Sequence, residues 1–396
     1  MFTPHGNRVF APGATRLSVH FTADGKDDIV YWYNIPEERR VSADEKPLFT
    51  FYAVWDIHLS DYWKEIPINR ARMLNDIIAN NPAFTVIAGD LVNNGVTAEY
   101  NRLDTYMKQN FNDPGRPAFI VNGNHEFHVK DANSTQYDRD ALLNSISSQI
   151  AANRKMGYTI RRDGDDLWYS AIIEGRKFIF MSTPSTPDKD ILASYVVSDE
   201  QLIFLEEELA DGEKTGYPAF VISHVPLKNY VPNSSDGITN TAAVEEILNR
   251  YPGTTVITAH THSNLSIYNR LYVKTSNIGG AVFTHLNDGC AVWLEEGKSY
   301  GSYEVGFSAG QVIDVYADKL VIKARKFADT NVYFGHGLFE VSLPGKSGAV
   351  PQVSIIGEAP ADGVVLSAKL SGDDSDTPDA YSYEWLIDGK EVCSIL

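Results

Sequence analysis

Phe49-Thr50-Phe51-Tyr52-Ala53-Val54 is a near-continuous apolar run that passes through Trp55 and ends on Asp56-Ile57-His58. A strand buried on both faces has this composition, because helices cover each side of a parallel sheet. Further runs of the same kind occur at Phe84–Ala88, Ala118–Val121, Lys177–Met181, Ala219–Ile222 and Thr254–Thr258. Between them, residues 66–80 carry Ile68, Met73, Leu74, Ile77 and Ile78 at helical spacing. Ser198 followed by Gln201 is a capping-box pattern that opens a helix over Ser198–Leu209, and Thr241–Leu248 reads as another. Strand–helix alternation with short connections predicts an α/β layered fold.

Outside this region the rhythm differs. Residues 1–48 show short alternating runs, Arg16–Phe21 and Ile29–Tyr33, around Asp24-Gly25-Lys26-Asp27, as a β-hairpin or a pair of edge strands would. Beyond residue 265, Leu271–Thr275, Ala291–Leu294, Gln311–Val315, Leu320–Arg325 and Gly337–Val341 read as antiparallel strands. The last fifty residues give Pro351–Ile356, Val364–Leu370 and Tyr381–Ile387, with Trp385 on the third. This resembles the start of an immunoglobulin-like or PKD-type β-sandwich, whose full form needs about seven strands.

Composition narrows the function classes. The 396 residues carry a formal charge of −18 and no Lys/Arg-rich run, so nucleic acid and anionic lipid are not expected as partners. That acidity does not argue against a small phosphorylated ligand, since bound cations would reset the local field. Cys290 and Cys393 form no CxxC pair and no disulfide framework. No apolar run has the length of a membrane span, and the first residues lack a signal-peptide pattern. An Ig-like tail is associated with bacterial exported proteins, which leaves the cellular location open.

The chemistry lies at the end of each apolar run. Asp56-Ile57-His58 closes the first, Gly89-Asp90 the second and Gly123-Asn124-His125-Glu126 the third. His224 closes a later run, and His260-Thr261-His262 the next. In open α/β sheets, ligands bind outside the carboxyl ends of the strands. Carboxylate, amide and imidazole groups suit borderline metals such as Zn, Mn or Fe. Clustered in an interior without a metal, they would be costly. Each motif alone is a weak signal, since a lone GNH also fits a turn. Order, strand-end placement and spacing taken together point to a metal site.

With these motifs the chain resembles the calcineurin-like metallophosphoesterases, whose pattern runs DxH, GDxx, GNH(D/E), H and GHxH. The resemblance covers roughly residues 49–330. It implies a four-layer α/β/β/α sandwich over residues 49–345, with the 1–48 hairpin and an incomplete Ig-like segment at 346–396 as additions. It further implies two divalent or trivalent metal ions, Mn, Fe or Zn. Asp56, His58, Asp90 and His262 would hold one, and Asp90, Asn124, His224 and His260 the other, with Asp90 shared. A hydroxide between the ions would then attack a phosphate ester of a small molecule or a phosphoprotein. His125 would stabilise the phosphoryl oxygens or protonate the leaving alkoxide. Two departures stand out: Ala259 replaces a glycine before HxH, and Trp55 replaces a small residue, as packing or as a substrate wall. His58 and Val92-Asn93 separate the chain from the purple acid phosphatases, which carry DxG and a tyrosine there. Asn93, Asn94, His128 and Lys130 lie beside ligand-bearing turns, as substrate contacts or as solvated loop residues. A catalytically silent metal-binding surface protein and a nuclease of the same family are the alternatives.

Overall fold

The computed structural model describes residues 46–59, 65–127, 137–183, 195–230, 234–262, 308–327 and 332–343, and outside these ranges only the backbones of several strands. The first two of these, β1 (Arg16–Phe21) and β2 (Ile29–Asn34), pair antiparallel from Arg16↔Asn34 to Phe21↔Ile29. The two form a sheet of their own, apart from the main body.

The main body is built on two mixed sheets. In the first, β3 (Phe49–Val54), β4 (Phe84–Ala88) and β5 (Ala118–Val121) are parallel neighbours. The second collects β6 (Thr159–Arg161), β7 (Tyr169–Ile173), β8 (Arg176–Phe180), β9 (Phe220–Ile222), β10 (Thr255–Thr258), β11 (Val273–Ile278) and β12 (Ala281–Asn287). Its order is β11-β12-β10-β9-β8-β7-β6, with β8, β9, β10 and β12 parallel. A short pair, β13 (Leu294–Glu295) and β14 (Tyr303–Glu304), stands apart. The chain then returns to the first sheet as a meander of β15 (Ser308–Val315), β16 (Lys319–Phe327) and β17 (Val332–Ser342). β15 lies antiparallel to β3, giving the order β17-β16-β15-β3-β4-β5. The C-terminal strands form two local pairs: β18 (Gln352–Ile356) with β19 (Ser367–Ser371), and β20 (Tyr383–Ile387) with β21 (Lys390–Ile395).

Helices cover the outer face of each sheet. α1 (Glu65–Asn80) packs on β15 and β16, and α3 (Arg139–Lys155) packs on β5. α2 (Thr97–Met107) lies against α3 and runs on through a π turn, Lys108–Asn112. α4 (Asp199–Gly212) covers β8, with α5 (Thr241–Leu248) beside it. The result is the α/β/β/α sandwich, and no helix among the described residues is long and apolar enough to cross a membrane. α4 starts as expected, with Ser198 accepting from the Gln201 N–H.

Between the sheets lies an aromatic layer. Phe51, Phe84 and Phe119 of the first sheet meet Phe178, Phe180 and Phe220 of the second, all fully buried. Phe51 and Phe84 set their rings edge-on to Phe178 at 5.7 and 5.2 Å, and Phe119 stacks on Phe180 at 5.5 Å. Each such ring contributes roughly 1.5–3 kcal/mol by burial. This layer holds the carboxyl ends of β3, β4 and β5 against those of β9 and β10. Outside it, Arg325 on β16 donates to Asp76 of α1 at 2.6 and 2.7 Å, and the Tyr52 hydroxyl donates to the same carboxylate at 3.0 Å.

α2, α3 and β7 were not expected from sequence. The core face of α3 includes Ser145, Gln149 and Asn153, and the last two donate to the Ala118 carbonyl at 2.8 and 2.7 Å. That helix covers an edge strand with amides, so its apolar periodicity is diluted.

Candidate metal centre

Three of the strands that end at the common edge, β3, β4 and β10, break off into an unusual turn. Asp56, His58, Asp90, His260 and His262 all have left-handed backbones, with φ of 49, 36, 47, 69 and 47°. Such a conformation costs a non-glycine residue roughly 1–3 kcal/mol and persists where the surroundings over-determine it. Here the turns are tied to one another. Asp56 N–H donates to the Gly89 carbonyl at 3.1 Å and His58 N–H to the Asp90 carbonyl at 2.9 Å. Ala259 N–H donates to the His224 carbonyl at 2.8 Å. Bending the chain this way brings the polar side chains of neighbouring strands to one edge.

Two glycines make that approach possible. A Cβ on Gly89, whose φ is 89°, would lie 2.5 Å from the His224 ring, and one on Gly123 would strike Asp90. Ala259 does not share the left-handed backbone, so a methyl group is accommodated where the family pattern has glycine. Trp55 is fully buried, which makes it part of the core and excludes a substrate wall.

Asp56, His58, Asp90 and His262 form one group whose ligand atoms all lie within 4.8 Å of one another. His262 Nε2 is 3.2 Å from Asp56 Oδ1, and His58 Nε2 is 3.8 Å from Asp90 Oδ2. Asp56 and His58 are wholly buried, whereas the His262 side chain is 13% exposed and marks the side open to solvent. Burial, reinforced by His125, holds the His58 imidazole well below its ordinary range, so its ring is neutral and able to ligate.

Beside it lies a second convergence. Asn124 Oδ1 is 3.1 Å from His224 Nε2 and 2.9 Å from His260 Nδ1, and His224 Nε2 is 3.3 Å from Asp90 Oδ1. The other nitrogen of each ring is already committed. His224 Nδ1–H donates to the Ala88 carbonyl at 2.9 Å, and His260 Nε2 meets Asp236 Oδ2 at 3.2 Å. Those partners can only accept, so the neutral tautomers present bare nitrogens to Asn124 Oδ1 and Asp90. Acceptors that converge in this way are stabilised by a cation, and the donor set of carboxylates, imidazoles and one amide suits a borderline metal. The titration behaviour agrees. Burial alone would raise Asp90 and lower His224, but their mutual attraction outweighs it and reverses both shifts. Without a metal the site draws in a proton, and a cation would meet the same demand.

The remaining residue expected at the site, His125, opens a single turn of 3-10 helix, His125–Phe127. Its ring stands edge-on to His58 at 4.6 Å and its Nε2 lies 3.8 Å from Asp90 Oδ2, with the side chain 18% exposed. Asn93 and Asn94 are partly buried, and both backbone N–H groups donate to Glu99 at 3.1 and 2.7 Å. His128 and Lys130 lie outside the described residues.

Three residues to which the sequence assigned no role support the site. Glu126 is fully buried and accepts from the Val92 N–H at 2.9 Å and from the Gly123 N–H, clamping two ligand turns together. Arg70 on α1 donates to the His58 carbonyl at 3.1 Å. Asp236 reaches His260 from a Ser235-Asp236-Gly237 stretch that reads, in sequence, only as a turn.

Comparison with known proteins agrees with this architecture. The chain covers 99% of a dimetal phosphatase structure from Danio rerio with 73% of its own length, at 13% identity and a TM-score of 0.50. It also matches GAP50, described as the anchor in the inner membrane complex of Plasmodium (13% identity, 76% of this chain, 89% of that one, TM-score 0.43). A third match is vacuolar protein sorting 29 from Cryptosporidium parvum (13% identity, 74% and 98%, TM-score 0.32). At such identity the first of these supports the fold alone. No curated protein sequence matches the chain. Residues 49–264, more than half of the sequence and the segment that carries all eight site residues, match the calcineurin-like phosphoesterase family, to which the chain therefore belongs.

Proposed function

We propose that this chain hydrolyses phosphate esters at a site for two metal ions. Asp56, His58, Asp90 and His262 would hold one ion, and Asp90, Asn124, His224 and His260 the other. The observation that carries this reading is the orientation of Asp90. Its Oδ2 faces His58 while its Oδ1 faces His224, so each oxygen is turned toward a different group of ligands. A carboxylate placed in this way could be shared between two ions.

When bound, two such ions supply an acidified water and a clamp on the attacking and leaving oxygens of an in-line displacement. The chain's own contribution is positional. Buried Asp56, His58 and His224 form the floor, and the partly exposed His125, His260 and His262 form the rim at which an ester would enter. His125 is placed to donate to a phosphoryl oxygen or to the leaving alkoxide, a task suited to an imidazole near neutral pH. The same reading takes residues 49–345 as the catalytic unit, because β15 to β17 complete the sheet that begins with β3.

A second reading, metal binding without turnover, is favoured by the completeness of the Asp56, His58, Asp90 and His262 group, which could hold one ion by itself. One experiment separates the two. Purified protein is loaded with Mn, its metal content measured, and its activity tested on an aryl phosphomonoester, an aryl phosphodiester, a cyclic nucleotide and DNA. Two ions per chain with ester turnover supports hydrolysis. One ion with no turnover on any substrate supports the silent protein, and metal-dependent DNA cleavage would reassign the chain as a nuclease.

A further inference from the structure

We infer that Asp236 is the positioning residue of His260, fixing which ring nitrogen is presented to the metal centre. The two nitrogens of His260 are engaged on opposite edges of the ring: Nδ1 lies 2.9 Å from Asn124 Oδ1 inside the centre, and Nε2 lies 3.2 Å from Asp236 Oδ2 outside it. A carboxylate can only accept. It therefore holds the proton on Nε2 and keeps the Nδ1 lone pair directed inward. Asp236 itself is not a ligand candidate, because the ring stands between its carboxylate and the other ligands.

The loop that carries Asp236 is held more firmly than an ordinary surface turn. Ile238 N–H donates to the Pro226 carbonyl at 2.8 Å, and Lys228 N–H returns to the Ile238 carbonyl at 3.1 Å. Thr239 N–H donates to the Tyr195 carbonyl at 2.8 Å, while the Asn240 side chain bonds both the N–H and the carbonyl of Val197 at 3.0 and 2.9 Å. Gly237 sits so close to this crossing that a Cβ there would lie 2.9 Å from the Lys228 Cα. Tyr195, almost fully buried, sets its ring edge-on to His260 at 5.8 Å, which leaves the imidazole little freedom to turn. The carboxylate and the ring are thus each fixed from behind.

For its effect on metal affinity this inference rests on the two-metal reading, whereas its effect on the ring does not. The test compares the full chain with Asp236→Ala and with Asp236→Asn, which keeps an acceptor for Nε2–H. Two measurements are made: nitrogen NMR of 15N-histidine-labelled, metal-free protein at mildly alkaline pH, and calorimetric titration with Mn. In the wild type and in Asp236→Asn, His260 is expected as the Nε2–H tautomer, and Asp236→Ala is expected to lose that preference. Asp236→Ala should also bind one of the two Mn ions about 10–100-fold less tightly, with the other unaffected and partial recovery in Asp236→Asn. Unchanged His260 signals in a folded Asp236→Ala would overturn the inference, as would two unchanged Mn affinities. If the wild type takes up one Mn only, the two-metal reading fails, and the tautomer comparison then decides the role of Asp236.

Discussion

The Nδ1–H of His125 donates to the main-chain carbonyl of Asn93 at 2.8 Å. One hydrogen bond thus fixes the tautomer of a ring that belongs to neither ligand group. The Nε2 left over faces Asp90 from 3.8 Å, at the rim of the centre.

Because His125 holds no metal in this scheme, His125→Ala should separate chemistry from metal binding. Turnover is expected to fall about 10²–10⁴-fold, the range for loss of a positioned general acid. Metal content, read by elemental analysis of the same preparation, should stay at the wild-type level. A parallel loss of metal would move His125 into the ligand set.

Asp90 should behave in the opposite way. Asp90→Asn keeps the shape of the side chain but removes the charge that both ligand groups share. Activity should vanish and metal content should drop. Normal metal content in the variant would show that Asp90 is dispensable to both ions.

Glu126 makes a prediction about stability. Its carboxylate satisfies the N–H groups of Val92 and Gly123 in a fully buried setting. Glu126→Ala strands both donors, at a cost of roughly 1–3 kcal/mol each. The urea midpoint of the metal-free protein should fall accordingly, and Glu126→Gln, which keeps one acceptor, should fall less. Equal midpoints for all three proteins would remove the clamp from the account.

A fourth prediction concerns pH. Asp138 caps α3 by accepting from the Ala141 N–H at 2.9 Å, and it also accepts from the Thr97 hydroxyl at the start of α2. The Thr97 bond, followed by the Ala141 bond, holds its carboxyl below the usual range. A depressed folded value means that the contribution is present above the unfolded value of about 3.9 and is lost as the pH falls through the folded one. Asp138→Ala should therefore cost about 1 kcal/mol near neutrality. The gap between the two melting curves should narrow as the pH drops below about 4. A gap independent of pH would mean that the cap acts without its charge.

How much of this could be read from the chain depended on whether the information was local. Strands β3, β4, β5, β8, β9 and β10 announce themselves because burial on both faces makes each a continuous apolar word. The ligands at their ends are equally legible, since a strand boundary and a polar residue are both visible in a few positions. α3 was invisible because Ser145, Gln149 and Asn153 share its buried face with Leu142, Ile146 and Ile150 and break up the apolar periodicity. Asp236 was invisible for another reason: its partner His260 lies 24 positions away, and the contact exists only once the loop folds back on Pro226. The three strands after residue 308 were legible as strands, but their docking beside β3 joins segments some 260 positions apart, which no local pattern encodes.

The left-handed turns at Asp56 and His262 meet at 3.2 Å across 206 positions of chain. Closing so long a loop is paid in chain entropy before any contact there is rewarded, which makes such an encounter a late event in folding. The ion cradle therefore has no nascent form. During synthesis Asp56 and His58 leave the ribosome long before His260 and His262 exist, so metal cannot nucleate this fold as it nucleates a short finger. An ion held by all four of Asp56, His58, Asp90 and His262 would report that the two sheets have closed.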